Sequence, residues 1–429
     1  MPESQERRCQ TNCLECGKCT AVCGDFPILD TYLQSAEPKT QMRETFVRGY
    51  GTAIDIGTTT VVMALLDLKT GAIKARRSFF NPQRVYAGDV ISRIRSANEG
   101  FLEKMRQLIT ESIIGGLGEL LKAGGITGGI SSIDEMVIAG NTVMIHLLLG
   151  LPCESLGVSP FKINHTLKDI YSFNEIFALN NSAAPCSLPQ VKIIPWLSAF
   201  VGGDITSGLL SVLPEKKKRF LFIDLGTNGE IALFYDGETA VTSSAAGPAF
   251  EGLHAPGASA QERSADGTAK AVCLNTASGV IKCLAESVRE GKIDKTGLLR
   301  GQTVFSQKQI RDLQLAKSAV RSAIDILLEY FNERQVSGLD YYSLDTVYFA
   351  GGIGQAINSD DAVTIGLIPQ EFSGKCCAAG NTSLAGAVRT LVSPLRATED
   401  TKRLVSAFKE INLGGHPRFN DLFAQYMFF

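Results

Sequence analysis

Three things are scarce in this 429-residue chain: charge of one sign, long apolar runs, and dispersed pairs of cysteines. Each scarcity removes a class of function. With 42 Lys and Arg against 44 Asp and Glu, the formal charge of −2 offers no general attraction to nucleic acid or anionic lipid. The one basic run, Lys216-Lys217-Lys218-Arg219, precedes an apolar strand and reads as a solvated loop. The most apolar stretch, "MVIAGNTVMIHLLLGLP", is broken by Asn141 and His146 and is too short for the ~20 residues that span a bilayer. The start is polar and cysteine-rich where a signal peptide needs an apolar core, so none is expected. Of 11 cysteines, five crowd into residues 9–23 and the rest are scattered, unlike a secreted disulfide framework. A cytoplasmic protein in a reducing compartment is expected, with neither membrane nor nucleic acid as partner.

The length exceeds one ordinary core and suits two lobes of roughly 150–200 residues. Residues 1–28 hold the cysteines, and 29–46 read as a polar linker. Lobe I is expected over 47–205, lobe II over 206–390, and a tail over 391–429 that packs on them. Lobe I opens with "GTAIDIG", "TTVVMALLDL" and "AIKARRSFF", a β-meander whose first strand ends in a glycine turn. Helical stretches follow near 86–97 and 101–122, then the strand "IDEMVIAG". About 170 residues after the first opening the pattern returns in "RFLFIDLGTNGEIALFYDGETAVTSSAAG", with a tight Asp236-Gly237 turn. This echo implies two similar α/β lobes. Residues 306–332 fit an amphipathic helix capped by Ser306.

Cys13-x2-Cys16-x2-Cys19-x3-Cys23 has the spacing of a bacterial ferredoxin run, which brings several thiolates onto one 4Fe–4S cluster. Gly24 stands where proline is usual, and there is no second run. The fourth ligand is therefore open between Cys23, Cys9 and a remote thiol such as Cys376 or Cys377. A zinc clip would want two Cys-x2-Cys pairs on a longer loop. The spacing Cys9-x3-Cys13-x2-Cys16 is that of radical S-adenosylmethionine enzymes, but no alternating strand–helix barrel follows.

Asp55-Ile56-Gly57-Thr58-Thr59-Thr60 and Asp224-Leu225-Gly226-Thr227-Asn228-Gly229 make sense as a facing pair. Each glycine admits a phosphate close to backbone N–H groups, the threonines add hydroxyls, and each Asp can hold Mg2+ directly or through water. "AGGIGQA", with Gly351, Gly352 and Gly354, supplies a third turn able to admit an adenine–ribose unit. Asp204 in "VGGDITSG" is either a cleft carboxylate or a plain helix cap. Asn141 and Thr142, just after a strand, are candidates for the same cleft. His146 reads as a core histidine. Lys317 reads as a solvated helical lysine, with approach to the nucleotide base as its alternative. Cys153, Cys186, Cys273 and Cys283 read as small buried hydrophobes.

The three turns, in this order, resemble the ATPase superfamily of acetate and sugar kinases, heat-shock chaperone ATPases and actin. More narrowly, "GTAIDIGTTTVVMALLDLKTG", "IAGNTVMIHLLLG", "FVGGDITSGLL", "FIDLGTNGEIAL", "SSAAGPAFEG", "IRDLQLAKSAV", "AGGIGQAINSDDAVTIGLIP" and "GNTSLAGA" resemble the reductive activators of corrinoid proteins across about residues 48–425. The resemblance implies a two-lobed actin-like, ribonuclease-H-like α/β fold behind a short ferredoxin-type segment, and adds Gly247 to the nucleotide-binding set. It implies an ATP-hydrolysing activase that passes one electron from an iron–sulfur cluster to the corrinoid protein of a methyltransferase system, returning Co(II) to Co(I). A donor such as a ferredoxin is implied, and a homodimer is allowed. Several such activators carry a plant-type two-iron domain or a C-terminal ferredoxin unit instead of this short run, so cluster type and donor are expected to differ.

Three rivals share parts of this pattern. Activators of 2-hydroxyacyl-CoA dehydratases or benzoyl-CoA reductases hold one cluster between two subunits and lack such a run. A small-molecule kinase with a structural metal clip needs a general base that the sequence does not supply. A redox-sensing ATPase would bind a partner without passing electrons. Anaerobic reconstitution is expected to give a brown protein with about four iron and four acid-labile sulfide per chain. Sulfide near zero overturns the iron–sulfur assignment.

Overall fold

A computed structural model of the protein describes residues 49–177, 188–213, 219–226, 228–244, 246–250, 277–334, 339–351 and 357–429. The cysteine run and linker of the sequence reading lie outside them.

In the first half, β1 (Tyr50–Ile56), β2 (Thr60–Asp67) and β3 (Ile73–Phe80) form the expected meander, with β1 and β3 both antiparallel to β2. Two helices follow, α1 (Val90–Ser96) and α2 (Leu102–Ala123), joined by a π-helical turn in which Gly100 takes φ 98°. Then come β4 (Ile133–Gly140), α3 (Thr142–Leu149), β5 (Tyr171–Ser172), β6 (Gln190–Ile193) and α4 (Gly203–Val212). β4 runs parallel to β1, and β6 parallel to β4, giving the order β3-β2-β1-β4-β6-β5.

The second half repeats the plan. β7 (Phe220–Leu225), β8 (Gly229–Tyr235) and β9 (Glu238–Ser244) form a meander, and Asp236 and Gly237 turn its second hairpin at positive φ of 46° and 102°. Helices α5 (Ala277–Arg289) and α6 (Gln307–Glu333) precede β10 (Thr346–Ala350), β11 (Cys376–Gly380) and α7 (Thr382–Val392). Ser306 caps α6 in a reciprocal pair with Gln309, as the sequence requires of a 27-residue helix. The sheet order is β11-β10-β7-β8-β9-β12, in which β10 and β11 are parallel to β7 as β4 and β6 are to β1. The tail supplies α8 (Pro394–Ala407), the edge strand β12 (Phe408–Glu410) and α9 (Phe419–Gln425).

The central strands of both sheets are buried on two faces, which is why they read as apolar runs and not as alternations. On the outside of the first sheet, Ile54 and Met63 pack with Ile113 and Leu117 of α2. On the outside of the second, Ile223 and Ile231 pack with Val320 and Ile324 of α6. Between the sheets, Ala53, Ala64, Phe222 and Ala232 meet Leu209 of α4 and Leu384 and Val388 of α7. The helix that follows each half's last parallel strand thus lies in the seam between the halves.

α4 and α7 lie close together because small residues line their contact. A Cβ at Gly386 would come within 1.8 Å of the Ser207 carbonyl oxygen, and one at Gly208 within 2.7 Å of the Phe222 ring. The Ser207 hydroxyl donates to the Ser383 carbonyl at 2.6 Å. At the far end, the buried Arg389 guanidinium donates to the Leu210 carbonyl and pairs with Asp400 at 2.5 Å. Gly386→Ala is expected to lower unfolding free energy by about 1–3 kcal/mol through overpacking. Gly118→Ala, an open helical position with nothing within 4 Å of the new carbon, is expected to raise it by about 0.5–1 kcal/mol. Urea titration checks both, and equal effects contradict the close packing.

Candidate functional site

The turn after β1 is shaped from outside. Gly57 N–H donates to the Thr60 carbonyl at 3.0 Å, and a Cβ on Gly57 would sit 2.7 Å from that oxygen, so a side chain is excluded. The turn's carbonyls are then drawn away from the cleft. Asn81 Nδ2 donates to the Gly57 carbonyl at 2.9 Å, Asn81 N–H to that of Thr59 at 2.9 Å, and Arg93 Nη2 to that of Thr58 at 2.7 Å. Arg93 is fully buried, and desolvation pulls its pKa down to about 10. A turn whose carbonyls are tied back leaves its Thr58 and Thr59 side toward the cleft, the polarity an anion requires.

The second turn is the counterpart. Gly226 N–H donates to the Asn228 carbonyl at 2.9 Å, and among the described residues only the Asn228 oxygen comes as near as 4.0 Å to where its Cβ would stand. Backbone there is accessible to a phosphate. Gly229 has a packing role, since its Cβ would lie 2.8 Å from Ser244 Oγ. Gly351 at φ 73° is set directly against Asp224, where an added Cβ would be 2.3 Å from Oδ1. Gly247 opens a 3-10 turn over Gly247–Phe250. Thr227, Gly352 and Gly354, with Cys9, Cys13, Cys16, Cys19 and Cys23, lie outside the described residues.

Four carboxylates gather between the turns: Asp55 at the end of β1, Asp204 in the first turn of α4, Asp224 at the end of β7, and Glu230 in β8. Each keeps partial contact with solvent, yet protein surrounds it enough that desolvation is the largest influence on its charge. Asp204 is pushed up to about 7 by burial and by the charge of Asp55. Asp224 is pushed up to about 7 by burial, then by Asp204 and Asp55. Glu230 is raised well above the carboxylate range by burial, Asp204 and Asp224. Burial also raises Asp55, opposed by hydrogen bonds from Ser383 and Asn381. Among the described residues no basic side chain figures among these influences.

Like charges gathered in this way are relieved by protons or by a cation. Among the described residues no three His, Cys, Asp or Glu stand close enough together to hold a metal ion directly. Mg2+ keeps several of its waters and asks for only one or two carboxylates beside substrate phosphates. The carboxylates therefore fit a hydrated Mg2+ carried in with a nucleotide.

This arrangement of matched lobes, phosphate-type turns and a carboxylate cleft agrees with the comparisons. Residues 50–216 match a model of the RACo middle region, and residues 218–304 and 299–429 match the C-terminal ASKHA domain of RACo. The chain belongs to the RACo family of reductive activators of corrinoid proteins. The corrinoid activation enzyme RamQ of Eubacterium limosum is 31% identical over 80% of this chain and 64% of that protein. The [Co(II) methylated amine-specific corrinoid protein] reductase of Methanosarcina barkeri is 22% identical, over 78% of this chain and 68% of that one. A solved reductive activator for a corrinoid, iron–sulfur protein superposes with a TM-score of 0.72 at 29% identity, over 88% of this chain and 66% of that one. The chain thus spans about two thirds of the length of these relatives. No helix among the described residues is long and apolar enough to cross a membrane.

Within this RACo-type fold, several single residues are settled by geometry. Asp204 is not the cap of α4; that position is Gly202, whose Cβ would be 2.7 Å from Asp204 Oδ1. Asn141 caps α3 by accepting from Val143 N–H at 2.9 Å, and the Thr142 hydroxyl donates to the Ser198 carbonyl at 2.7 Å. His146 is a core histidine as expected, its Nδ1 2.9 Å from the Pro152 carbonyl and its pKa lowered by burial. Lys317 corrects the expectation of a solvated lysine. It is buried and donates to the Tyr426 and Phe428 carbonyls, each at 2.6 Å, and burial pulls its pKa down to about 8. Its charge is spent on holding the tail. Cys153 is buried as expected, Cys283 is only half-buried, and Cys186 and Cys273 lie outside the described residues. Cys376 and Cys377 are half-buried thiols on β11 with pKa values raised mainly by burial, to about 11 for Cys376.

Asp204 and Asp224, raised to about 7, bind more protons folded than unfolded between their ordinary value near 4 and about 7. Stability of the metal-free chain therefore falls as pH rises through that window. The unfolding midpoint in EDTA is expected to drop between about pH 4 and 7, and saturating Mg2+ with ATP to flatten the slope. A midpoint that rises with pH in EDTA contradicts the cluster.

Proposed function

We propose that this chain restores Co(I) in a methyltransferase-associated corrinoid protein by ATP-dependent transfer of one electron. The electron comes from a 4Fe–4S cluster held by Cys13, Cys16 and Cys19 with Cys23 or Cys9, and a low-potential donor such as a ferredoxin replaces it. The observation that carries this reading is the carboxylate-lined cleft between two matched turns, in a chain whose relatives bear corrinoid-activation names.

The roles follow from position. Gly57, Thr58 and Thr59 in one lobe and Gly226, Thr227 and Asn228 in the other cradle the phosphates, with Gly229 packed behind the second turn. Asp55, Asp204 and Asp224 would hold a hydrated Mg2+, which would neutralise phosphate charge. Gly351, Gly352 and Gly354 admit the adenosine, and Gly247 is counted with the nucleotide-binding set.

ATP is needed because the electron moves uphill. Driving one charge against about 100 mV costs about 2.3 kcal/mol. A nucleotide supplies that only by binding two conformations with different affinity. Turns on separate lobes provide the difference, since a γ-phosphate bridges both and ADP does not. Asp224→Ala is expected to keep the cluster spectrum while abolishing ATP-dependent loss of the Co(II) EPR signal. Undiminished ATP-dependent reduction in that variant sinks the proposal.

A further inference from the structure

Asp55 belongs to the first half of the chain, yet both of its carboxylate oxygens are held by the second. Asn381 Nδ2 donates to Oδ2 at 2.9 Å, and Ser383 Oγ donates to Oδ1 at 2.7 Å. We propose that Asn381 and Ser383 are positioning residues for Asp55, so that the cation site of one lobe is completed by the leading turn of a helix from the other.

The geometry gives these donors little freedom. Asn381 Oδ1 caps α7 by accepting from Leu384 N–H at 2.8 Å, which fixes the side-chain amide with Nδ2 toward Asp55. The Ser383 carbonyl is held by the Ser207 hydroxyl, and the other end of α7 is pinned to α4 by Arg389. Behind the cap, the Gly380 carbonyl accepts from Gly351 N–H at 3.1 Å, and Gly351 abuts Asp224. One short stretch of backbone therefore connects the carboxylates of both turns.

An ionised carboxylate has about four lone-pair sites. Each oxygen of Asp55 gives one to the helix and keeps one for a cation or its water. Fixing a ligand's orientation through partners behind it is how such residues tune metal affinity. The same bonds tie Asp55 to α7, which packs against β1, β4 and α4, so occupancy of the site and the set of the seam helices are mechanically joined. The inference rests on the cation reading of the cleft and is independent of what the electron reduces.

The test uses Mn2+ with a non-hydrolysable ATP analogue as probe on the full reconstituted chain, following bound Mn2+ by EPR. Ser383→Ala leaves the cap of α7 untouched, and Asn381→Ser keeps a capping hydroxyl while removing Nδ2. Each is expected to weaken Mn2+ binding about 10-fold or more, with Ser383→Thr within about twofold of the unsubstituted chain. Thermal midpoints in EDTA are expected to match across all three. Affinities within about twofold for both Ser383→Ala and Asn381→Ser overturn the proposal, as does an unsubstituted chain that binds no Mn2+. Corrinoid reduction that proceeds without ATP would instead defeat the functional reading and leave the Mn2+ result standing.

Discussion

Negative charge collected where, among the described residues, no basic side chain answers it is the constraint on which the cleft of this molecule is built. Asp55, Asp204, Asp224 and Glu230 come from three strands and one helix, in two halves of the chain. Their mutual repulsion is unfavourable in the empty cleft and becomes an asset once a cation enters. A cation held there would meet carboxylates from both halves of the chain. A cleft with all its carboxylates on one lobe would bind a cation without joining the halves.

The fold meets this constraint with two copies of one plan. Each β-meander places an Asp at the end of its first strand and a glycine turn beyond it. Each half then sends the helix after its last parallel strand into the shared seam. α4 brings Asp204 to the cleft at its second residue, and α7 brings Asn381 and Ser383. Both helices point their N-termini at the carboxylates, and the positive end of the helix dipole tempers repulsion before a cation arrives. Glycine at 208 and 386 lets the pair approach closely enough to act as one element.

Much of this was legible in the sequence, because repeats and turn chemistry are local. The two Asp-x-Gly-Thr turns, the hairpin at Asp236-Gly237 and the cap at Ser306 announce themselves by spacing alone. Glu230 was not legible, since a glutamate inside an apolar strand gives no sign of which carboxylates it will face. Asn381 and Ser383 were missed although Gly-Asn-Thr occurs twice after an apolar strand, at 140–142 and 380–382. Their partner is over 300 residues away in sequence. Asn81 and Arg93 were missed for the same reason, because an arginine that ties back turn carbonyls looks in sequence like any surface arginine. Lys317 was misread because the tail that buries it carries no periodic signal.

Membership of the RACo family narrows the chemistry, and the cleft supplies the means by which a nucleotide could govern it. The central claim is that Mg2+ with ATP is gripped from both lobes at once. Hydrogen–deuterium exchange of backbone amides 57–60, 203–207 and 380–384 measures this directly. The account predicts that ATP with Mg2+ protects all three segments together, while ADP with Mg2+, or ATP with EDTA, does not. Protection confined to one lobe, or equal protection without Mg2+, would contradict it.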